Sequence, residues 1–252
     1  MGIIGGADGP ATVYLSSVLL KGEISMGILC LILGAVGLIA YFIGNISPST
    51  IMAKRQGLDI KKEGSGNAGT TNALRVMGKK AGAITCIVDI LKGVVAVLIG
   101  LLAAGSPGAY IAALCVFLGH VWPIVYKFQG GKGVATAFGA VLAVNPLLAL
   151  ISLAIVVIVV FTSKRMSLGS IVGAVCFAVL AVFMEPMFTI PAAVMAVIIL
   201  VKHRANIRRL ARGEEPVMGI FKKKEETETV ESVTVESETV ESEIKEGEPE
   251  DE

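Results

Sequence analysis

Three polar segments of this chain contain side chains that could bind phosphate or take part in acid–base chemistry. The first, Lys61–Arg75 (KKEGSGNAGTTNALR), contains three glycines, which permit backbone conformations that aim successive N–H groups in one direction. Its other donors are hydroxyls, amides and one planar guanidinium: Ser65, Asn67, Thr70, Thr71, Asn72 and Arg75. The segment predicts an anion cradle, with an ordinary polar loop as the alternative.

The second segment, KFQGGKGVATAFG, sets Lys132 between Gly131 and Gly133, directly before a predicted helix. Free backbone N–H groups and the helix dipole then point where the ammonium points, which favours a second anion site. It does not fit a phosphate-binding loop of the G-x4-G-K-[ST] type, because Tyr126 stands in place of the first glycine and Gly133 in place of the hydroxyl. An ATPase is therefore disfavoured, and a plain loop is the alternative.

The third segment, KHRANIRRLARGEE, combines His203 and Asn206 with several arginines. Basic helices that follow a membrane span commonly contact anionic lipid headgroups, and this interpretation accounts for arginines such as Arg209. It does not call for a histidine or an asparagine. The segment therefore predicts that His203 and Asn206 have a further role.

Two polar features lie within apolar runs. Asp89 and Lys92 are three residues apart and share one helix face, which predicts a structural ion pair between helices, with substrate contact as the alternative. His120 lies near the end of the following apolar run. It could serve either as a packing residue or as part of the site, and the sequence favours neither role.

The elements that must position these residues are membrane helices. Hydrophobic residues make up 54% of the 252 residues and charged residues 17%, and mean hydropathy is +0.76. Apolar runs of span length in such a chain predict an all-α integral membrane protein. Six clean runs cover residues 26–46, 81–104, 109–126, 134–161, 167–184 and 187–201.

The fourth run is too long for one crossing and contains Asn145-Pro146, where the proline disfavours helix at the residue before it. A break there places all four clusters of Lys and Arg on one side, as expected for cytoplasmic loops. We therefore predict seven transmembrane helices, some short, with the N-terminus outside and the C-terminus cytoplasmic. The helix over 134–144 is short for a core of ~30 Å and must tilt or thin the bilayer.

Composition divides the chain into three parts. Residues 1–25 form an appended N-terminal segment without the basic region of a cleavable signal, and residues 26–215 form the polytopic membrane domain. Residues 216–252 are predicted to be a disordered acidic cytoplasmic tail, since from Lys222 onward 13 acidic residues stand against 4 lysines. The four cysteines lie singly in apolar runs and predict neither a metal site nor a disulfide framework.

The residue patterns of soluble hydrolases and acyltransferases are missing. The chain has no Gly-x-Ser-x-Gly elbow, no cysteine beside a histidine, no carboxylate cluster fit for magnesium, and no histidine followed five residues later by aspartate. Any chemistry must rest on positioning and charge stabilisation more than on a strong protein base. Two phosphate-binding segments on one membrane face suggest two phosphorylated substrates, or one with two phosphates.

Five motifs between residues 26 and 215, in order GSGNAGTTNALRVMGKKAG, VDILKG, GHVWPIVYKFQGGKGVATAFG, SLGS and HRANIRRLARGEE, resemble those of the bacterial acyl-phosphate-dependent glycerol-3-phosphate acyltransferases, the PlsY family. The resemblance implies a seven-helix protein of the bacterial cell membrane with its active site on the cytoplasmic face. It implies acyl transfer from acyl phosphate to the 1-position of glycerol 3-phosphate, giving lysophosphatidate and phosphate, the first acylation of phospholipid biosynthesis. It also implies no metal or other cofactor, no acyl-CoA, no nucleic acid, and a functional link to the soluble enzyme that makes acyl phosphate.

Motif position carries the family roles to this chain. The implied catalytic residues are Ser65, Arg75, Lys132, His203 and Asn206. The implied substrate-binding residues are Gly66, Asn67, Thr71, Asn72, Gly131, Gly133, Ser167 and Glu214. The chain departs from the family pattern in GNISPST, where members commonly read Gly-Ser-Ile-Pro, and in GTTN, where many read Gly-Ala-Thr-Asn.

Two other functions stay open, and one further resemblance carries no role. A transporter for a phosphorylated solute would also aim broken helices at anions, but it predicts inverted repeats and polar groups at mid-membrane. A lipid-binding membrane scaffold leaves Ser65, Asn67 and Lys132 unexplained. Residues 2–20 resemble a segment of the membrane β-subunit of sodium-pumping decarboxylases, and no sodium site is transferred from it.

Overall fold

A computed structural model describes residues 25–218, which contain helices and no strands. Nearly all of the two segments predicted at residues 1–25 and 216–252 lies outside the described residues. The helices are α1 (Met26–Gly44), α2 (Pro48–Arg55), α3 (Thr70–Val121), α4 (Val134–Val144), α5 (Pro146–Ser163), α6 (Met166–Met184), α7 (Thr189–Lys202) and α8 (Arg204–Ala211), with single 3-10 turns at Ile124–Tyr126 and Pro186–Phe188.

Helix α3 is a helical hairpin. Its backbone leaves helical geometry at Gly105 (φ 61°), two residues before Pro107. The two arms then pack so closely that a Cβ added at Gly100 would lie 2.3 Å from the carbonyl oxygen of Gly108. A second departure, at Gly78 (φ 84°), separates a short initial segment from the first arm.

Glycines also bring the neighbouring helices into backbone contact with this hairpin. A Cβ at Gly119 would lie 2.1 Å from the carbonyl oxygen of Tyr41 in α1, and one at Gly139 of α4 would lie 2.0 Å from that of Ile90. Small residues at such crossings are the usual means by which membrane helices approach each other. The α3 hairpin is therefore held between α1 and α4.

The predicted break at Asn145-Pro146 is confirmed. Asn145 ends α4 with an extended backbone (φ −147°), and Pro146 is the first residue of α5. The Asn145 side chain caps α5 by accepting a hydrogen bond from the N–H of Leu148 (3.0 Å). One residue therefore ends α4 and starts α5.

Four helical stretches are long and apolar enough to cross a membrane: Met26–Arg55, Thr70–Tyr126, Pro146–Ser163 and Met166–Met184. The bent pair Pro186–Lys202 and Arg204–Ala211 makes a fifth if it is one span. The apolar helix α4 has only 11 residues. Large apolar side chains such as Leu102 and Ile190 are exposed along these helices, as expected of surfaces that face lipid.

The loops meet at two ends of the helical body. At one end, the Lys61 ammonium donates to the carbonyl oxygen of Gly130 (3.3 Å), and Nε of Arg165 donates to that of Glu215 (3.1 Å). Together with the hydrogen bond from Lys132 to Asn206, these contacts bring the four basic clusters of the sequence to a common end. At the other end, the buried carboxylate of Glu185 accepts hydrogen bonds from Tyr110 (2.6 Å) and Asn145 (3.1 Å).

Candidate active site

The loop that carries Lys132 is built against the end of α3. The N–H of Gly131 donates to the carbonyl oxygen of His120 (3.1 Å), and Lys61 holds the preceding residue, Gly130. A Cβ at Gly131 would lie 2.2 Å from Nε2 of His120, so only glycine allows this approach. The N–H of Gly131 is therefore already used to hold the loop.

The anion-binding potential of this loop lies at the start of α4 instead. Gly133 precedes the helix with φ 82°, and no side chain caps the helix. The backbone hydrogen bonds of α4 begin with Ala137, whose N–H donates to the carbonyl oxygen of Gly133 (2.7 Å). The N–H groups of the first helical turn are thus left for an anion beside Lys132.

The ammonium of Lys132 begins a polar chain that runs into α8. It donates to Oδ1 of Asn206, whose Nδ2 donates to Oε1 of Glu215 (2.7 Å). Nε of Arg209 donates to the other carboxylate oxygen (2.7 Å). The buried Ser167, at the start of α6, lies beside the same carboxylate. The predicted residues Lys132, Ser167 and Asn206 are therefore brought together.

The cluster contains two residues, Glu215 and Arg209, to which the sequence analysis gave no place in the site. Gly213 (φ 74°) turns the chain after α8 so that Glu214 is exposed and Glu215 is only 8% exposed. Glu215 is therefore the carboxylate that enters the cluster, and substrate binding by Glu214 stays a prediction. Arg209, which the sequence interpretation gave to lipid headgroups, is paired with Glu215, and composition alone held no signal for this pairing.

The charges of the cluster are shifted by burial and by each other. Burial lowers the pKa of Lys132 to about 8; the charge of Glu215 opposes this shift, whereas the charges of Arg209 and Arg75 add to it. Burial alone would raise the pKa of Glu215, but the neighbouring hydroxyl of Ser167 and the donors of Asn206 and Arg209 lower it. At neutral pH the cluster therefore holds an ammonium and a carboxylate joined through one amide.

His203 lies just past the end of α7 and is buried. Its Nδ1 lies 2.8 Å from the carbonyl oxygen of Ile199, and a carbonyl can only accept, so Nδ1 carries the proton. Burial, reinforced by the positive charge of Lys132, lowers the pKa of His203 to about 4. The ring is thus neutral near pH 7 and presents Nε2 as a hydrogen-bond acceptor.

Asn72 shapes the first polar loop. Its Oδ1 accepts from the N–H of Ser65 (2.8 Å), and its Nδ2 donates to the carbonyl oxygens of Ile60 (3.3 Å) and Glu63 (3.0 Å). Both amide N–H groups are used and the side chain is 1% exposed. Asn72 therefore holds the loop in place, and its predicted contact with substrate stays a prediction.

The other predicted residues of this loop line its open side. Gly66 takes φ 67°, Asn67 is half-buried, and the side chains of Ser65, Thr71 and Arg75 are exposed. This loop lies against the Lys132 loop: a Cβ at Gly131 would be 3.1 Å from the carbonyl oxygen of Ala68. The charge of Arg75 also reaches Lys132. The two predicted anion loops are therefore adjacent.

The polar residues inside α3 form an ion pair, as predicted, but within one helix. The Lys92 ammonium lies 2.7 Å from Oδ1 of Asp89 and 2.8 Å from Nδ1 of His120 on the second arm. It also donates to the carbonyl oxygen of Ile46 (2.7 Å), past the end of α1. The network thus joins α1 to both arms of the hairpin.

Known proteins share this arrangement of motifs and helices. Residues 34–213 match a family model described as glycerol-3-phosphate acyltransferase. A protein of Clostridioides difficile (strain 630) named glycerol-3-phosphate acyltransferase is 48% identical over 198 residues, which are 75% of this chain and 96% of that protein. A protein of the same name from Thermoanaerobacter sp. (strain X514) is 48% identical over 185 residues, 72% of this chain and 93% of its own length.

This chain belongs to the glycerol-3-phosphate acyltransferase family. Among solved structures, it is similar to PlsY, an integral membrane glycerol 3-phosphate acyltransferase, in its glycerol 3-phosphate form, with 34% identity and a TM-score of 0.72 over 75% of this chain and 97% of that one. For the lysophosphatidic acid form of the same enzyme, the TM-score is 0.68, and the match covers 74% of this chain and 95% of that one. The chain is therefore a multi-pass membrane acyltransferase.

This member of the family has an apolar groove next to the polar cluster. The groove holds about 540 Å³ of space, part of it open to the surroundings, between α4, α5, α6 and α7. It begins at Ile199, whose carbonyl holds His203, and at Ser170, which lies one turn along α6 from Ser167. It continues along the helices between Val134, Ala137, Phe138, Val141, Ala149, Ser152, Leu153, Val156, Gly173, Ala174 and Phe177. The groove therefore begins next to the residues that hold the polar cluster.

Proposed function

We propose that the protein transfers a fatty acyl group from an acyl phosphate to the 1-position of glycerol 3-phosphate, giving lysophosphatidate and phosphate. This would be the first acylation step of phospholipid biosynthesis. The observation that carries the proposal is the junction of a cationic cluster at Lys132, a neutral histidine at His203 and the apolar groove. An acyl phosphate has one anionic end and one apolar chain, and the junction offers surroundings suited to each.

The phosphate of glycerol 3-phosphate would bind among the cationic and N–H donors of the site. Lys132, Arg75 and the free N–H groups at the start of α4 supply charge and direction, as phosphate sites at helix N-termini commonly do. Asn206 and Ser167 would add neutral polar contacts. Ser65, Asn67 and Thr71 line the facing loop and complete the proposed set.

The neutral state of His203 favours an activated acyl donor. With a pKa of about 4, His203 is too weak a base to take the proton of the substrate hydroxyl. We expect it to orient that hydroxyl by accepting a hydrogen bond at Nε2. A mixed anhydride needs little more, because its phosphate is a good leaving group. The thioesters acyl-CoA and acyl-carrier protein have no phosphate on the acyl carbon, so Lys132 and Arg75 would have no leaving phosphate to neutralise.

The proposed reaction is a direct displacement at the acyl carbonyl. The 1-hydroxyl oxygen of glycerol 3-phosphate attacks the carbonyl carbon, the bond from that carbon to the phosphate oxygen breaks, and the departing phosphate takes the hydroxyl proton. Lys132 and Arg75 neutralise the charge on the phosphoryl groups, so that holding the two substrates together supplies most of the rate enhancement. No covalent intermediate with the protein is formed.

We propose that the chain crosses the membrane seven times, through α1, the two arms of α3, and α4 to α7. The joining of the basic loops at one end supports a cytoplasmic active site, with the N-terminus outside and the C-terminus inside. The membrane would be a bacterial cell membrane. A soluble enzyme that makes acyl phosphate would then supply the donor from the same side.

The test uses membranes that contain the full chain, labelled glycerol 3-phosphate, and acyl phosphate, acyl-CoA or acyl-carrier protein as alternative donors. Labelled lysophosphatidate is expected with acyl phosphate only, and a Lys132→Met variant in matched membranes controls for background transfer. Product from acyl-CoA but not from acyl phosphate would overturn the donor assignment. Uptake of glycerol 3-phosphate into vesicles without acylation would favour a transporter instead.

A further inference from the structure

The charged network inside α3 takes no part in the transfer step described above, yet it ends at the active-site loops. The Lys92 ammonium has three N–H groups and three neighbours that can accept them: Asp89, the carbonyl oxygen of Ile46, and Nδ1 of His120. The side chains of Asp89, Lys92 and His120 are all buried. The ammonium therefore pairs with the carboxylate of Asp89 and is hydrogen-bonded to the carbonyl oxygen of Ile46 and to His120.

This contact fixes the tautomer of His120. Because Lys92 donates to Nδ1 at 2.8 Å, Nδ1 holds a lone pair and the neutral ring carries its proton on Nε2. A proton on Nδ1 would face the Lys92 N–H groups, and its other acceptor, Oδ1 of Asp89, lies farther away at 3.4 Å. His203 has the opposite tautomer, since its Nδ1 donates to Ile199.

The protonated Nε2 of His120 lies where the two loops of the site meet. One point in space, the position of a Cβ on Gly131, is 2.2 Å from this nitrogen and 3.1 Å from the carbonyl oxygen of Ala68. Among the described residues, Nε2 makes no hydrogen bond, although His120 is only 5% exposed. A ring N–H without a protein partner is available to donate to a ligand oxygen that approaches it from the junction of the two loops.

We propose that His120 is a further substrate-binding residue, whose Nε2–H donates to a phosphoryl oxygen held between the Ala68 loop and the Lys132 loop. Asp89 and Lys92 are then positioning residues, because they act through the ring that they hold in one tautomer. The inference rests on the proposed function for the phosphorylated nature of the substrates. Both substrates have phosphoryl oxygens, and kinetics with each one varied separately tells which of them His120 contacts.

Two variants of His120 distinguish the loss of the Nε2–H donor from the loss of the contact between Nδ1 and Lys92. The amide nitrogen of His120→Gln reaches about as far as Nε2. The amide of His120→Asn reaches only as far as Nδ1, where its oxygen can accept from Lys92. We expect His120→Gln to keep KM for both substrates near the wild-type values. His120→Asn is expected to raise KM for one substrate by about tenfold or more, with a smaller change in kcat. Equal KM values in both variants would overturn the proposal.

Nitrogen NMR of the wild-type protein tests the same point without a substitution at His120. The chain has 2 histidines, so ¹⁵N-histidine labelling gives two rings, and a His203→Gln sample assigns them. We expect a protonated Nε2 in His120 and a protonated Nδ1 in His203. Saturating glycerol 3-phosphate or inorganic phosphate should shift the His120 Nε2–H resonance, and a resonance that moves with neither would overturn the binding role.

The positioning role and the proposed function have separate readouts. In Lys92→Met, ring nitrogen shifts should show a mixture of both His120 tautomers, and an unchanged single tautomer would overturn the positioning role. Wild-type protein that shifts with phosphate but forms no lysophosphatidate would overturn the transfer reaction while leaving this inference in place. If the wild-type protein forms lysophosphatidate and His120→Asn has unaltered kinetics, the transfer reaction stands and the binding role of His120 is overturned.

Discussion

Lys132 and Asn206, 74 residues apart in the chain, are joined by a hydrogen bond from the ammonium to the amide oxygen. The amide nitrogen of Asn206 faces the other way and donates to Glu215, so the orientation of the amide is fixed by its two neighbours. Asn206 therefore links a cation to a carboxylate while keeping them apart. An ammonium in direct contact with Glu215 would be neutralised, whereas this one keeps its charge for an anionic substrate.

The ionisation of Lys132 should limit activity on the alkaline side. With its pKa lowered to about 8, Lys132 is charged below that pH and loses its charge as pH rises through it. We expect kcat/KM for glycerol 3-phosphate to fall above pH 8, because this parameter reports the free enzyme. Lys132→Arg should move the fall to higher pH, since arginine stays charged, and Lys132→Met should lower kcat/KM by roughly 10- to 100-fold at pH 7.

Lys61 is the control for that titration, because burial and the charge of Lys202 lower its pKa to about 8 as well. Lys61 donates to the backbone of Gly130 and so acts on the loop, not on the substrate. Lys61→Arg should leave the alkaline fall in place. A fall that disappears in Lys61→Arg and persists in Lys132→Arg would contradict the assignment.

Substitution of Glu215 should change the same pH profile. Its negative charge opposes the lowering of the Lys132 pKa, so in Glu215→Gln the pKa of Lys132 drops further. The alkaline fall in kcat/KM should therefore shift to lower pH, by about half a unit or more. Glu214→Gln removes the same charge one residue earlier from an exposed position, and its profile should match the wild type. Identical profiles for the two variants would contradict the placement of Glu215.

The choice between these two glutamates shows where sequence reasoning ended. Motif order identified the segment, but the side chain that turns inward depends on the left-handed conformation at Gly213, and neighbouring identical residues give no signal for it. Asn72 is a similar case. A polar residue in an anion-binding motif was read as a ligand, whereas its amide is used up by three backbone groups of the loop.

The fold was predictable where a local rule had a single outcome. Pro146 cannot continue a helix from Asn145, and the charge of the flanking loops agreed with a break, so α4 and α5 were separated correctly. The short helix α2 was not predicted, although Pro48 starts it, because eight residues after an apolar span carry little periodic signal. The convergence of Ser167, Asn206 and Glu215 depends on how α6 packs beside α8, and no local pattern in the sequence contains that information.

His203 should not produce a titration near neutral pH. Its pKa of about 4 means that the ring is neutral above that pH and becomes protonated only as pH falls through it. Wild-type kcat should therefore be constant between pH 5 and 7 with respect to this group. His203→Gln should raise KM for glycerol 3-phosphate by several-fold and change kcat little, because an orienting contact is lost and a base is not. A wild-type kcat that titrates near pH 6.5 and loses this titration in His203→Gln would establish His203 as an obligatory base.

Gly131 should tolerate no side chain, for a reason that lies in α3. The added methyl carbon of Gly131→Ala would lie 2.2 Å from Nε2 of His120, and the ring cannot retreat because Lys92 and Asp89 hold it. We expect a loss of about 1–3 kcal/mol in the free energy of unfolding and at least a tenfold loss of kcat/KM, as for other overpacked sites. Gly34→Ala in α1 is the matched control, since nothing lies within 4 Å of the added carbon, and thermal unfolding and kinetics should show little change. Wild-type stability and kinetics in Gly131→Ala would mean that the loop can move away from His120. The close approach of Gly131 to His120 would then not be needed for activity.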